Sequence, residues 1–293
     1  MRRFVLPLVL IGLATSGRAQ AAHDAAWDSV GTMLGAAPTL TGGYVRYDLP
    51  RRDLRVMVAG VRIATVIAGD GWLGFHGAPG SATLMGDLVV VARELPALER
   101  ELIAGGLEFT SVHSRLVGES PRVMYVHVLG HGAATTMARV LDRALARTGT
   151  PRPVTPSASP PLTADTAIVF AALGEHGSGA GNVARVSVAL VHGPVTLKGE
   201  VLPVELAATS LINVQFVSPS RVVASGDIAA TERQLEPVIR ALVHGGLTVT
   251  AVHAQLSGES PRVLSTHFWG DGPPATVLAV LRQVLDAART AAP

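Results

Sequence analysis

Four histidines carry the chemistry that this sequence offers, and they come as two pairs. His113 and His127 are followed 140 positions later by His253 and His267, inside segments that are nearly the same: Gly118-Glu119-Ser120-Pro121-Arg122-Val123 returns as Gly258-Glu259-Ser260-Pro261-Arg262-Val263. Imidazoles near neutral pH can share a metal ion, pass a proton, or hold an anionic or hydroxylated ligand. Each segment reads as a hairpin, and successive strand residues point to opposite faces. With Val112, Ser114, Leu116, Met124, Val126 and Val128 turned to a core, His113, Arg115, Tyr125 and His127 share the other face, as do His253, Gln255, Ser265 and His267 in the second copy. A five-residue loop, Gly118 to Arg122, sets His113 directly across from His127; a three-residue loop sets them diagonally.

The candidate ligand-binding set is therefore His113, Arg115, Glu119, Tyr125, His127, His253, Gln255, Glu259 and His267. No cofactor is expected. If a divalent metal is held, its ligands are His113 and His127, but zinc asks for at least three protein ligands, no cysteine exists, and Arg115 stands where a second cation would sit. That arginine suits an anion. The plainer alternative makes the repeated hairpin a folding core, with Gly118 and Pro121 shaping its turn, Glu119 and Arg122 pairing at its ends, and the histidines hydrogen-bonded and half-buried.

Other residues offer less. His131 could reach the first pair, but Asp271 replaces it in the second copy, where capping the next helix accounts for it. His76 lies in the glycine-rich run Gly71 to Gly77 and reads as an exposed loop residue, and His176, His192 and His244 read as surface positions. Asp87 and Asp227 recur after Gly86 and Gly226 and read as structural hydrogen-bonding groups. The stretch Leu173 to Gly181 reads as a turn, not a phosphate loop. No nucleophile elbow, zincin helix or calcium loop is present.

The elements that must position these residues follow the same duplication. Tyr44 to Leu49, Leu54 to Thr65 with a turn at Gly60, and Leu84 to Ala92 read as strands; Glu94 to Ala104 and Ala133 to Arg147 read as amphipathic helices flanking the hairpin. Thr148 to Thr163 holds five prolines and reads as a linker. Beyond it strands at Val183 to Val191 and Val195 to Val201, a helix through Leu235 to Val243, the second hairpin and a helix over Ala275 to Ala288 repeat the order. This predicts an α+β fold: two tandem homologous domains, each an antiparallel sheet with helices packed on one face, over 22–148 and 164–293, joined by a Pro-rich linker at 149–163.

Composition bounds the rest. The 293 residues are 48% hydrophobic, enough for two cores. Met1-Arg2-Arg3, the apolar run Phe4 to Ala14 and the small-residue exit through Ala19-Gln20-Ala21 read as a signal peptide over 1–21, too short to span a membrane. Without it, 21 basic residues face 22 acidic ones, and no basic stripe exists, so no nucleic acid partner is expected. The protein is expected to be periplasmic or secreted, with no integral membrane segment after cleavage.

On His113, the run Gly118 to His127, Gly86-Asp87 and Gly226-Asp227, the sequence resembles the LppY/LpqO family, exported bacterial proteins named from mycobacterial lipoproteins and without an assigned function. The resemblance covers both repeats and implies export and a duplicated domain, but no reaction. That family usually has another histidine two residues after the first; Arg115 and Gln255 stand there instead, and no lipobox cysteine is present. The expectation is an exported cell-envelope binding protein for a small-molecule or cell-envelope ligand. Its rivals are a histidine-dependent, metal-assisted hydrolase, and a structural envelope protein with the hairpins at the interface between repeats.

Overall fold

A computed structural model of the chain describes residues 25–292. The first repeat runs α1 (25–34), β1 (Thr39–Thr41), β2 (Tyr44–Asp48), the short pair β3 (Met57–Val58) and β4 (Val61–Arg62), α2 (Thr65–Ala68), β5 (Trp72–Ala78), β6 (Ser81–Val91), α3 (Leu95–Ala104), β7 (Glu108–His113), β8 (Val123–Gly132) and α4 (Ala134–Leu145). The second runs α5 (Ala167–Leu173), β9 (Gly177–Ala180), β10 (Val183–Ala189), β11 (Val195–Leu197), β12 (Glu200–Leu202), α6 (Val204–Ala207), β13 (Thr209–Ser218), β14 (Arg221–Thr231), α7 (Glu232–His244), β15 (Thr248–Ala254), β16 (Glu259–Ser260), β17 (Val263–Gly272) and α8 (Pro274–Ala291). Each repeat builds one six-stranded antiparallel sheet, ordered β1-β2-β5-β6-β8-β7 in the first and β9-β10-β13-β14-β17-β15 in the second. The α+β class and the duplication are as the sequence predicts.

One face of each sheet is covered by helices. Val30, Leu34, Leu98, Leu102, Leu141 and Leu145 pack on Leu73, Phe75, Leu84, Leu88, Val126 and Val128. Val169, Leu173, Leu242, Leu281 and Leu285 do the same on Ile212, Val214, Ile228 and Phe268. The other face is buried as well, against the other repeat. This explains why β6 and β8 read as nearly continuous apolar runs: Leu88 and Val90 face the helices while Val89 faces the partner repeat.

The contact between repeats is reciprocal. The β3–β4–α2 finger carries Val56, Val58, Ile63 and Ile67 onto Val183, Val223 and Trp269 of the second sheet. The β11–β12–α6 finger carries Leu197, Leu202 and Leu206 onto Tyr44, Met85 and Leu129 of the first. Gln215 accepts the Ala64 N–H at 2.9 Å and donates to the Arg62 carbonyl at 2.8 Å, and Thr83 donates to Glu200 at 2.9 Å. Between the edge strands, Thr110 donates to the Gln255 carbonyl and its equivalent Thr250 to the Arg115 carbonyl. The two repeats thus face each other about an internal pseudo-two-fold axis.

Several local expectations are corrected. Gly71 to Gly77 is not a loop: most of it is strand β5, and His76 sits in that strand with Nδ1 3.0 Å from the Gly43 carbonyl and Nε2 3.5 Å from Glu200. The turn read over Leu173 to Gly181 contains strand β9. Asp271 does not cap α8, whose N-cap is Pro273; it forms a bidentate pair with Arg221 on the neighbouring strand. Residues 148–163 contain neither helix nor strand, and they are held down, with Arg152 on Asp142 at 2.6 Å and the Val154 N–H on the Gly35 carbonyl. Among the described residues no helix is long and apolar enough to cross a membrane.

Gly86 and Gly226 set how closely strands β5 and β13 approach the centre of each sheet. A Cβ on Gly86 would lie 2.3 Å from the Trp72 carbonyl oxygen, and one on Gly226 would lie 1.9 Å from that of Leu211. Because backbone cannot give way as a flexible side chain does, Gly86→Ala or Gly226→Ala is expected to cost about 1–3 kcal/mol or more. The denaturant midpoint checks this, and an unchanged midpoint would contradict the close approach.

Candidate functional site

The hairpin registers place the histidines. His113 pairs with Tyr125 and Ser111 with His127, so the two imidazoles are diagonal neighbours on one face. His253 pairs with Ser265 and Ala251 with His267, giving the same arrangement. The diagonal alternative is the one adopted, after a β-bulge between Phe109 and Ser111 and another between Val249 and Ala251. That shared face is not open to solvent. It lies between the sheets, and each pair meets the other on the pseudo-two-fold axis.

One centre results, not two. His113, His127, His253 and His267 each offer a ring nitrogen, and the four nitrogens lie within 4.8 Å of one another. Ring centroids are 4.2 Å apart for His113 and His253 and 4.5 Å for His113 and His267. His127 and His267 are 2% and 1% exposed, while His113 and His253 are half-buried. The outward nitrogens are largely engaged: Nδ1 of His113 lies 3.2 Å from Ser111 Oγ, Nδ1 of His127 lies 2.7 Å from Asp87 Oδ1, and Nδ1 of His253 donates to the Ala254 carbonyl at 2.9 Å. The Nε2 atoms turn inward. Those of His253 and His267 are 2.9 Å apart, whereas those of His113 and His127 are buried with no hydrogen-bond partner among the described residues.

The electrostatics favour neutral rings at His113, His253 and His267. Burial first, and then Arg115 and the neighbouring imidazoles, push His113 and His267 well below the usual histidine range. Burial, and then His127, push His253 down to about 4. Burial alone would raise the Asp87 carboxyl, but the charges of His127 and Arg115 outweigh it and hold it well below the carboxylate range. Asp227 lies opposite His267 as Asp87 lies opposite His127, yet burial wins there and raises its carboxyl to about 6.

The nine candidate residues divide accordingly. The four histidines form the centre. Arg115 pairs with Asp87 and lies 3.9 Å over the Tyr125 ring, so a carboxylate offsets its charge, although its field still bears on His113 and His267. Tyr125 is buried and donates to the Ile67 carbonyl. Gln255 accepts from Ser265 at 3.2 Å and lines a cleft of about 320 Å³ beside the centre, together with Arg46, Asp87, Arg115, Arg185 and Asp227. Glu119 and Glu259 do not belong to the site. They close the hairpin turns, accepting from Ser114 Oγ and from the Val263 N–H. His131 is directed elsewhere, toward Ser81 and Thr83.

Asp87 and Asp227, read as structural hydrogen-bonding groups, adjoin the centre: Asp87 does bond, to Arg115 and His127, and Asp227 lies across the ladder from His267. Their signal was present, since a carboxylate recurs in an otherwise apolar strand at the same 140-residue offset as the histidines.

The sequence model of the family described as Domain of Unknown Function (DUF1259) matches the chain twice, over residues 28–147 and 167–287. No curated protein matches. Among solved structures the chain is similar to EtuB from Clostridium kluyveri, at 10% identity over 87% of this chain and 91% of that one, with a TM-score of 0.22. It is also similar to the trimeric bacterial microcompartment shell protein PduB, at 12% identity over 87% and 89%, with a TM-score of 0.20. The double-ringed trimeric shell protein MSM0271 follows, at 12% over 72% and 83%, with a TM-score of 0.19.

One expectation is left without support by these comparisons and one is withdrawn. The family match does not link the chain to the LppY/LpqO name. The expectation of a periplasmic or secreted protein with a signal peptide is not carried further, the similar structures including ones described as microcompartment shell proteins. At these TM-scores they assign no location or assembly in its place, and the signal-like run falls in residues 1–24, outside the described ones.

The depressed histidines fix a pH dependence for the metal-free protein. The unfolded chain takes up protons on them near 6.5 and the folded chain does not. Their stabilisation is therefore complete above about pH 6.5 and is lost as pH falls toward 4. Asp227 opposes this between 3.8 and about 6, because its folded form is the better proton acceptor. With three histidines against one carboxyl, the Tm of metal-free protein is expected to fall between pH 7 and pH 5. A Tm that is flat or rises over that interval would contradict the buried neutral cluster.

Proposed function

The chain belongs to the DUF1259 family, and on the geometry of its centre we propose that it is a metal-binding protein holding one divalent transition-metal ion between its repeats. The observation that carries this reading is the convergence of four imidazoles, two from each copy, with three of their outer nitrogens engaged and their inner ones turned to a common point. A tetrahedral ion with metal to nitrogen bonds of ~2.0–2.1 Å needs ligand atoms ~3.3 Å apart. The longest present separation, 4.8 Å, has to close by roughly 1.5 Å, which side-chain rotation of the half-buried His113 and His253 can supply.

An all-imidazole set fits zinc, copper, nickel or iron(II) and disfavours calcium and magnesium, which take oxygen ligands. His127 backed by Asp87 is the carboxylate and histidine arrangement that orients a metal-bound ring and raises its basicity. With His113, His253 and His267 already neutral, those three ligands release no proton on binding. Four protein ligands fill a tetrahedral ion, which suits a structural or carrier role better than hydrolysis, where a position is kept open. A hydrolase reading keeps one support: Asp87 and Asp227 both line the adjoining cleft.

Elemental analysis of the purified protein, and titration of the metal-free form with cobalt(II), zinc and copper(II), test the proposal. One ion per chain is expected, with a tetrahedral cobalt spectrum and a rise in stability of about 2.7 kcal/mol at free metal 100 times Kd. His127→Ala in the first repeat and His267→Ala in the second are each expected to abolish tight binding, since one centre draws on both copies. Absence of a stoichiometric ion under all these conditions would sink the reading; two ions per chain would replace one shared centre with two separate ones.

A further inference from the structure

The four outer nitrogens are not treated alike. Three have a partner, in Ser111, Asp87 and the Ala254 carbonyl, while Nδ1 of His267 is buried with none among the described residues. The neighbouring contacts fix the reason. The Ala254 carbonyl can only accept, so His253 carries its proton on Nδ1 and presents a bare Nε2. His267 Nε2, 2.9 Å away, must then donate, which leaves its own Nδ1 without a proton. In this state His267 holds the tautomer opposite to the one that a metal ligand bound through Nε2 requires.

Directly across the ladder from His267 stands Asp227, in the register that Asp87 holds to His127. Directly opposed residues of adjacent strands have Cβ atoms about 4.5–5.5 Å apart on one face. Asp87 is committed to His127 and Arg115. The Asp227 side chain makes no hydrogen bond or ion pair among the described residues and lines the cleft with Gln255 and Ser265.

We propose that Asp227 is a positioning residue of the metal centre: loading the ion moves the His267 proton from Nε2 to Nδ1, and the Asp227 carboxylate receives that N–H. The step balances. One N–H bond breaks at Nε2 and one forms at Nδ1 of the same ring, the Nε2 lone pair goes to the metal, and the hydrogen bond between His253 and His267 is exchanged for one between His267 and Asp227. The second repeat thus acquires on loading the arrangement that the first has beforehand. This inference rests on the four-histidine metal reading.

The test uses the full chain and zinc. Two-bond proton to nitrogen correlation spectra of 15N-labelled protein report the tautomer of His267, assigned through a His267→Gln variant, with and without one equivalent of zinc. The expected result is Nε2–H without zinc and Nδ1–H with it. Chelator competition then compares the wild type with Asp227→Ala, Asp227→Asn and Asp227→Glu. The alanine and asparagine variants are expected to bind one zinc about 10–100-fold more weakly, and the glutamate variant to recover part of the loss. Metal-free Asp227→Ala is expected to melt no lower than the wild type, since that side chain is uncommitted before loading. A His267 already in the Nδ1–H form without zinc, or an affinity within twofold of wild type in the alanine variant, would overturn the proposal while leaving the metal centre standing. Failure of the wild type to bind zinc or any other ion would overturn both. Should a variant fold poorly, the tautomer measurement on the wild type still decides.

Discussion

The structure depends on one constraint: a sheet already covered by helices on one face must bury its second face against a copy of itself. Apolar side chains meet most of that requirement, through fingers that cross from each repeat to the other. On the axis, polar groups are left over, and they have to satisfy one another. Four imidazoles, Asp87 and Arg115 do so in part, and the burial that makes this costly is also what keeps His113, His253 and His267 neutral. A half-satisfied polar network inside a protein is expensive. The inward nitrogens of His113 and His127, lacking partners among the described residues, mark where this one is left incomplete.

Much of this was legible in the sequence, and for definite reasons. The alternation in Val112 to Leu116 and Met124 to Val128 put His113, Tyr125 and His127 on one face, and the structure keeps them there, because a strand's side-chain period cannot drift once one face is buried; Arg115 reaches that face from beyond the end of β7, and Leu116, expected in the core with Val112, packs with Tyr125 instead. The repeat made the same statement for His253 and His267. Alternation names the face, however, and says nothing about what covers it. The polar face read as a ligand surface on each hairpin is instead a shared interior, and what looked like two sites of two histidines is one site of four.

The misread residues have the same origin. Asp87 looked structural because its partner, His127, sits on a strand that is a neighbour in space and forty residues away in sequence. Arg115 read as an unmatched cation because the carboxylate that pairs with it, Asp87, was not visible from its own segment. Asp271 stood before a helix, as a cap does, but Arg221 across the ladder had the stronger claim. His76 lay among glycines that signal a loop in isolation, yet in β5 those glycines let neighbouring side chains close in: a Cβ at Gly74 would lie 2.7 Å from Leu206.

The tether between the repeats gives the axis a freedom that separate subunits lack. A homodimer must present the same residue twice at its centre, so any change there is made on both sides at once. In a fused pair each side can vary alone, and here it has done so: Arg115 faces Gln255, and bulky Tyr125 corresponds to small Ser265. Tyr125 is packed in its core, while Ser265 leaves room and helps line the cleft beside the histidines. Joining the copies in one chain thus allowed a symmetric scaffold to carry an asymmetric interior, with a packed wall on one side and an approach on the other.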